Sequence, residues 1–185
     1  MAPAVNVVSG FSRTLPMPKR HIAPLVNGRV TLRLLEAADL PMTLAWRNQD
    51  HIRQWFLHSD VITPEQHRAW WERYQDRDDD FVFVMEETET LKRPVGQVSL
   101  YNIDWAAGGA EFGRLMIGDA EANGQGLARL ATSRLVDEGL TTWGLNRIHL
   151  EVLPTNLPAL AVYAACGFRE SGRLAGVVQM QKCSG

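Results

Sequence analysis

Val30, Leu32 and Leu34 alternate with polar neighbours, the period of a half-buried strand over residues 29–35. The period then lengthens. Asp39 stands where a capping residue would start a helix to about residue 48, with Pro41 tolerated in its first turn. A short helical piece follows over residues 50–56. Thr63-Pro64-Glu65-Gln66 reads as a capping box with proline at the first helical position, so a helix runs on to about residue 75. Residues 81–87 and 94–103 read as antiparallel strands joined by a polar turn, and 111–118 as the next strand. Leu127, Leu130, Ala131 and Leu135 then share one helical stripe, and Gly144 marks the end of that segment. Residues 147–153 alternate again. A helix over 157–166 carries Pro158 in its first turn and Gly167 just past its end. Residues 168–173 and 177–181 form a last, short hairpin.

Strands interleaved with helices imply an α/β domain with a mixed, twisted sheet of six to seven strands and helices on both faces. At 185 residues, with 45% hydrophobic and 22% charged positions, the chain can bury a core as one domain. Residues 1–27 hold Pro3, Pro16, Pro18 and Pro24, with no acidic residue before Glu36 and no apolar signal core, and read as a flexible tail ahead of a domain at 28–185. A net charge of −2 gives no reason to expect a nucleic-acid partner. No apolar run reaches the ~20 residues of a membrane span. Cys166 and Cys183 have no metal spacing and suit a reducing, cytoplasmic setting, with Cys166 as core filler. His51, His58 and His67 lack metal spacing, so no metal is expected.

The chemistry concentrates where strand 111–118 runs into Asn123-Gly124-Gln125-Gly126-Leu127-Ala128 and then straight into a helix. Glycines let a ligand approach bare backbone, and the first helical turn offers unpaired N–H groups at a positive dipole end. Together they suit a phosphate group. No Lys follows the glycines as a Walker A loop requires, and Arg129 stands where a dinucleotide fingerprint needs its third glycine.

The segment resembles the Arg/Gln-x-x-Gly-x-Gly/Ala pyrophosphate signature of the GNAT acyl-CoA N-acyltransferases, with Asn123 in the Arg/Gln place and Gly126 and Ala128 at the small positions. Asn146 to Asn156, followed by Ala159, Tyr163 and Cys166-Gly167-Phe168, is similar to the strand, loop and helix that hold the pantetheine arm in that family. The resemblance covers residues 30–180. It implies that strands 111–118 and 147–153 splay apart and that acetyl-CoA enters the wedge as co-substrate. Its diphosphate would lie on Asn123 to Ala128, and its pantetheine amides on the backbone of Leu115, Met116 and Ile117, like an added strand. The family's longer final strand pair looks abbreviated here.

Acetyl transfer to an amine needs a neutral amine, a stabilised oxyanion and a proton for the departing thiolate. Tyr163, two turns and roughly 10 Å beyond Asn156, shares a face with Ala159 and is the candidate acid. Glu111, opening one jaw of the wedge, is the candidate base or a solvated strand-end carboxylate. Asn156 is an N-cap, a ligand to the acyl arm, or both. His149 alternates with the apolar positions of its strand and reads as a satisfied structural histidine.

For the acceptor, Trp46, Trp55, Trp70 and Trp71 mix with Arg47, His51, Arg53, His58, His67 and Arg68. Aromatic faces stack on bases or sugars, and Arg forks match phosphate. Trp46-Arg47-Asn48, Ile52-Arg53-Gln54-Trp55 and Pro64-Glu65-Gln66-His67 resemble the GNAT subgroup that acetylates nucleotide-linked 4-amino sugars in pseudaminic-acid-type pathways. They also resemble the ribosomal-protein acetyltransferases of the RimJ/RimL group. The first resemblance implies acceptor contacts from Arg47 and His67 and a small-molecule amine substrate. The alternatives are a protein N-terminal acetyltransferase and a non-catalytic acyl-CoA-binding module. A monomer or a homodimer fits either.

Overall fold

The computed structural model describes residues 19–185. Eight strands form one sheet in the order β1-β2-β3-β4-β5-β6-β8-β7. They are β1 (Leu25–Asn27), β2 (Val30–Leu34), β3 (Phe81–Glu87), β4 (Arg93–Asp104), β5 (Gly109–Ile117), β6 (Arg147–Val152), β7 (Arg169–Leu174) and β8 (Val177–Cys183). The helices are α1 (Leu40–Arg47), α2 (Asp50–Arg53), α3 (Pro64–Gln75), α4 (Leu127–Asp137) and α5 (Leu157–Ala165).

Alternation places the layers. Along β3, Phe81, Phe83 and Met85 join the large core on the α4/α5 side, and Val82 and Val84 pack with Tyr74, Trp70 and Met42 on the α1/α3 side. The strand is buried on both faces, which is why it reads as an unbroken apolar run. The Thr63 capping box forms as expected, Thr63 accepting from the Gln66 N–H and Gln66 from the Thr63 N–H.

Several expectations need correction. The sheet has eight strands, not six or seven, because Leu25–Asn27 pairs with β2. The expected tail boundary at residue 27 therefore moves toward the N-terminus. Arg20 bonds Asp78, and the Lys19 ammonium lies over the Tyr74 ring, so the chain is already packed there. The rest of the expected tail, residues 1–18, lies outside the described residues. Asp39 makes no side-chain cap to α1; it is buried, holding Arg33 through two bonds and accepting from the Glu36 N–H. The final hairpin is fuller than its pattern, and β8 lies along β6 from Arg147↔Cys183 to Val152↔Val178.

Three features shape the site. First, the only parallel pairing among the described residues, β5 with β6, stops after Gly109↔Arg147, Ala110↔Ile148 and Glu111↔His149, although β5 continues to Ile117 and β6 to Val152. The splay implied by the family resemblance is present. Second, β5 carries a bulge. Gln97 faces Met116 and Ser99 faces Gly113, one residue extra on β5, and Arg114 sits at φ 51. A non-glycine residue there is strained, and such residues persist where surrounding contacts fix them; here two bonds from Arg114 to the buried Asp80 do so.

Third, Trp46 on α1 packs with Ile52 and Met116 and lies flat on Gly118, where an added Cβ would stand 2.0 Å from its ring. Gly118→Ala should therefore destabilise the fold by about 1–3 kcal/mol through overpacking, read as a lower melting temperature. An unchanged melting temperature would show that α1 is not seated on β5 as described.

Candidate active site

At the point where β5 and β6 part, a cavity of about 320 Å³ opens, lined among others by Glu111, Gly113, Arg114, Leu115, Glu151, Asn156, Ala159 and Tyr163. Its volume falls within the range of small-ligand sites. A second cavity, about 430 Å³, lies beneath α1 and α3 and is lined by residues including His67, Trp70, Gln66, Asp60 and Gln97. Arg47, Phe56, His58 and Arg114 line both, so the two cavities meet across these four side chains.

Tyr163 projects from α5 into the inner cavity. Its ring packs edge-on against Phe112 at 5.8 Å and Phe168 at 6.0 Å. Burial, with a smaller contribution from Cys166, pushes its hydroxyl up to about 12, so the phenol holds its proton throughout the neutral range. On α5, Leu157 is 68% exposed, while the face carrying Tyr163 packs inward. Asn156 is an N-cap, its Oδ1 accepting from the Ala159 N–H at 3.2 Å, and it also lines the inner cavity.

Glu111 is not a loose strand end. One carboxylate oxygen accepts from the Tyr101 hydroxyl and the other from the Asn102 side chain at 3.0 Å. Burial first, and then that bond to Glu111, raise the Tyr101 pKa, which keeps Tyr101 a donor. Arg114 stacks on Tyr101 at 4.2 Å and is neutralised by Asp80. Tyr101, Arg114 and Asp80 escape a sequence reading because nothing in strand periodicity reveals a bulge or an ion pair between distant positions.

The cofactor candidates separate into two places. Leu115 lines the inner cavity, and the edge of β5 through Met116 and Ile117 has no β6 partner, although the Met116 side chain faces Trp46. Gly124 and Gly126 have φ 73 and 76, and an added Cβ at either would meet nothing within 4 Å. Gly126 caps α4, and the first ladder bond runs from Leu130 N–H to the Gly126 carbonyl. Leu127, Ala128 and Arg129 therefore present N–H groups outside the helix's own ladder. The Leu127 side chain is core. The Gln125 carboxamide braces the loop, donating to the Glu121 carbonyl and accepting from Arg29, which also bonds the Gln125 carbonyl at 2.7 Å. Its backbone N–H alone is left for a ligand. Asn123 is exposed and ends the preceding helical turn.

Of the acceptor candidates, Arg47 sits at the junction and His67 only in the outer cavity, stacked on Trp70 at 5.3 Å, with burial lowering its pKa. The Arg47 guanidinium lies 4.0 Å over Phe56 and donates to the His58 carbonyl, while its other terminal nitrogen is buried with no hydrogen-bond partner among the described residues. His149 is not the satisfied histidine the strand pattern suggested, since its Nδ1 is buried and unpartnered among the described residues. Cys166 is buried in the core. Among the described residues no group of His, Cys, Asp and Glu is arranged to hold a metal ion, and no helix is long and apolar enough to cross a membrane.

A profile of the acetyltransferase (GNAT) domain matches residues 29–169. The spermidine N(1)-acetyltransferase of Vibrio cholerae serotype O1 is 29% identical over 149 residues, 80% of this chain and 84% of that protein. The crystal structure of a spermidine N-acetyltransferase from Vibrio cholerae, in complex with CoA and spermine, superposes with a TM-score of 0.78 at 27% identity, covering 85% of this chain and 97% of that one. A ribosomal-protein-S5-alanine acetyltransferase from Vibrio fischeri shares the fold, with a TM-score of 0.72 at 22% identity over 88% of this chain and 97% of that one.

Proposed function

The chain belongs to the GNAT acetyltransferase family and is an acetyl-CoA-dependent N-acetyltransferase, and we propose that its acceptor is a small primary amine whose body carries negative charge, as a nucleotide-linked amino sugar does. One observation carries the choice: the Arg47 guanidinium, at the meeting of the two cavities, keeps a buried nitrogen without a partner among the described residues. A buried donor that the fold leaves unpaired is costly unless a ligand accepts from it. Arginine stays charged at any ordinary pH and matches phosphate or carboxylate oxygens in its fork.

The rest of the site fits transfer from coenzyme A. The glycine turn and the free N–H groups of α4 suit its diphosphate, and the open edge of β5 suits the amides of its arm. In this reading Glu111, held by Tyr101 and Asn102, takes a proton from the amine, directly or through water. Tyr163, which lines the same cavity, gives one to the departing sulfur.

A polyamine is the second reading. The Vibrio cholerae relative is named for spermidine, and Glu111, Glu151 and Asp60 in the two cavities favour a cation. Charge separates the readings. Arg47→Met should raise KM for a nucleotide amino sugar at least tenfold, about 1.4 kcal/mol, and leave kcat nearly unchanged. With spermidine the same substitution should lower KM, because a repelling cation is gone. Acetylation of spermidine alone by the wild-type protein, with Arg47→Met neutral or favourable, would overturn the anionic acceptor. A screen of N-terminal peptides tests the protein-acetyltransferase alternative.

A further inference from the structure

We propose that His149 relays the proton released in each turnover from Glu111 to the open face of the sheet. The proposal rests on the reading of Glu111 as the base.

Transfer to a protonated amine forms one C–N bond and breaks one C–S bond. The nitrogen loses two protons and the sulfur gains one, so a single proton must leave the site for every acetyl group moved. Tyr163 gives sulfur its proton and is restored by one of the two that nitrogen loses. The one that Glu111 takes has to reach solvent before the next cycle, at the narrow end of a wedge that the acyl donor would fill.

His149 is Glu111's partner in the last paired position before β5 and β6 diverge. Strands in register are ~4.8 Å apart and their paired side chains share a face, so the two side chains leave the sheet as neighbours on one face, while the Glu111 oxygens accept from Tyr101 and Asn102. Its Nδ1 is buried and unpartnered among the described residues. The same side chain lines a third cavity of about 170 Å³ on the β6–β8–β7 surface, together with Arg147, Glu151 and Gln179. Glu151 lines this cavity and the wedge cavity alike. One imidazole is thus the register neighbour of the carboxylate and lines a polar cavity on the sheet's open face, the position from which a relay group would act. An imidazole can accept on one nitrogen while donating from the other.

The charged groups facing it are Glu111 on β5, Arg147 and Glu151 on its own strand, and Arg169 on β7, the register partner of Gln181. On β8 it meets the neutral Gln179 and Gln181.

The test is His149→Gln assayed in dilute, non-nucleophilic buffer. Its kcat should fall roughly tenfold to hundredfold and recover toward wild type as imidazole is added, whereas the wild-type rate should not respond to imidazole. Acetyl-CoA affinity should not change. A variant rate equal to wild type, or a fall that imidazole does not restore, overturns the relay. Should the variant fold poorly, the wild-type protein supplies a second readout in mixtures of H₂O and D₂O. A curved dependence of kcat on deuterium content supports a relay through more than one group; no solvent isotope effect at all overturns it. Glu111→Gln runs in parallel. Full activity there removes the base reading itself, while a slow Glu111→Gln beside a normal His149→Gln removes only the relay.

Discussion

Replacing Tyr163 with phenylalanine should slow turnover about 10²- to 10³-fold with acetyl-CoA affinity and melting temperature unchanged. The change deletes one oxygen and leaves the ring against Phe112 and Phe168, so the packing that seats α5 survives. What is lost is the proposed proton donor. Its suitability follows from burial, which pushes the hydroxyl up to about 12. A phenol shifted in that direction stays almost fully protonated through pH 10. The wild-type rate should therefore not decline between pH 8 and 10 through loss of this proton, and any alkaline limb in that window belongs to another group. Steady-state kinetics, calorimetric titration with acetyl-CoA and a thermal melt check the three parts. An unchanged kcat would remove Tyr163 from the chemistry.

What could be read from the sequence was what periodicity and glycine chemistry encode. The strand β3, the capped α3 and the glycine turn into α4 each follow from a local rule, and the second motif region reaches the wedge through Asn156, Ala159 and Tyr163. The first strand was missed because Leu25–Asn27 is too short to show a period. Arg114 was missed because a positive φ is usually announced by glycine; here a pairing with Asp80, distant in sequence, holds the bulge.

The aromatic cluster over residues 46–74 was only half legible. Trp46 is core, fitted to Gly118, while Trp55 is 38% exposed at the inner cavity. Sequence spacing cannot separate these fates, since both depend on which strand lies beneath each helix. Of the segments that pointed to a nucleotide-sugar subgroup, Arg47, Trp55, Gln66 and His67 line the two cavities. The Vibrio cholerae relative is a spermidine acetyltransferase, so the proposal of an anionic acceptor rests on Arg47, one of whose nitrogens is buried without a partner among the described residues, rather than on resemblance.

The largest effect on binding should come from Gly126→Val, which is expected to weaken acetyl-CoA by at least tenfold, about 1.4 kcal/mol, and to lower kcat/KM in proportion. Gly126 holds φ 76, and a Cβ there meets no protein atom within 4 Å. The fold therefore raises no clash of its own. The substitution costs backbone strain of about 1–2 kcal/mol, and it puts methyl groups where phosphate oxygens would approach the N–H groups of α4.

Strain and obstruction can be told apart. Gly176, in the turn between β7 and β8, has φ 83 and equally empty surroundings. Gly176→Val should lower the melting temperature by a similar amount and leave acetyl-CoA affinity intact. Arg29→Ala supplies the complementary case. It keeps both glycines but removes the two bonds that fix Gln125, and should weaken binding by loosening the turn rather than by filling it. If Gly126→Val binds acetyl-CoA as tightly as the Gly176 control, the helix entrance is not where the diphosphate rests, and the orientation assigned to the donor along β5 would have to be redrawn with it.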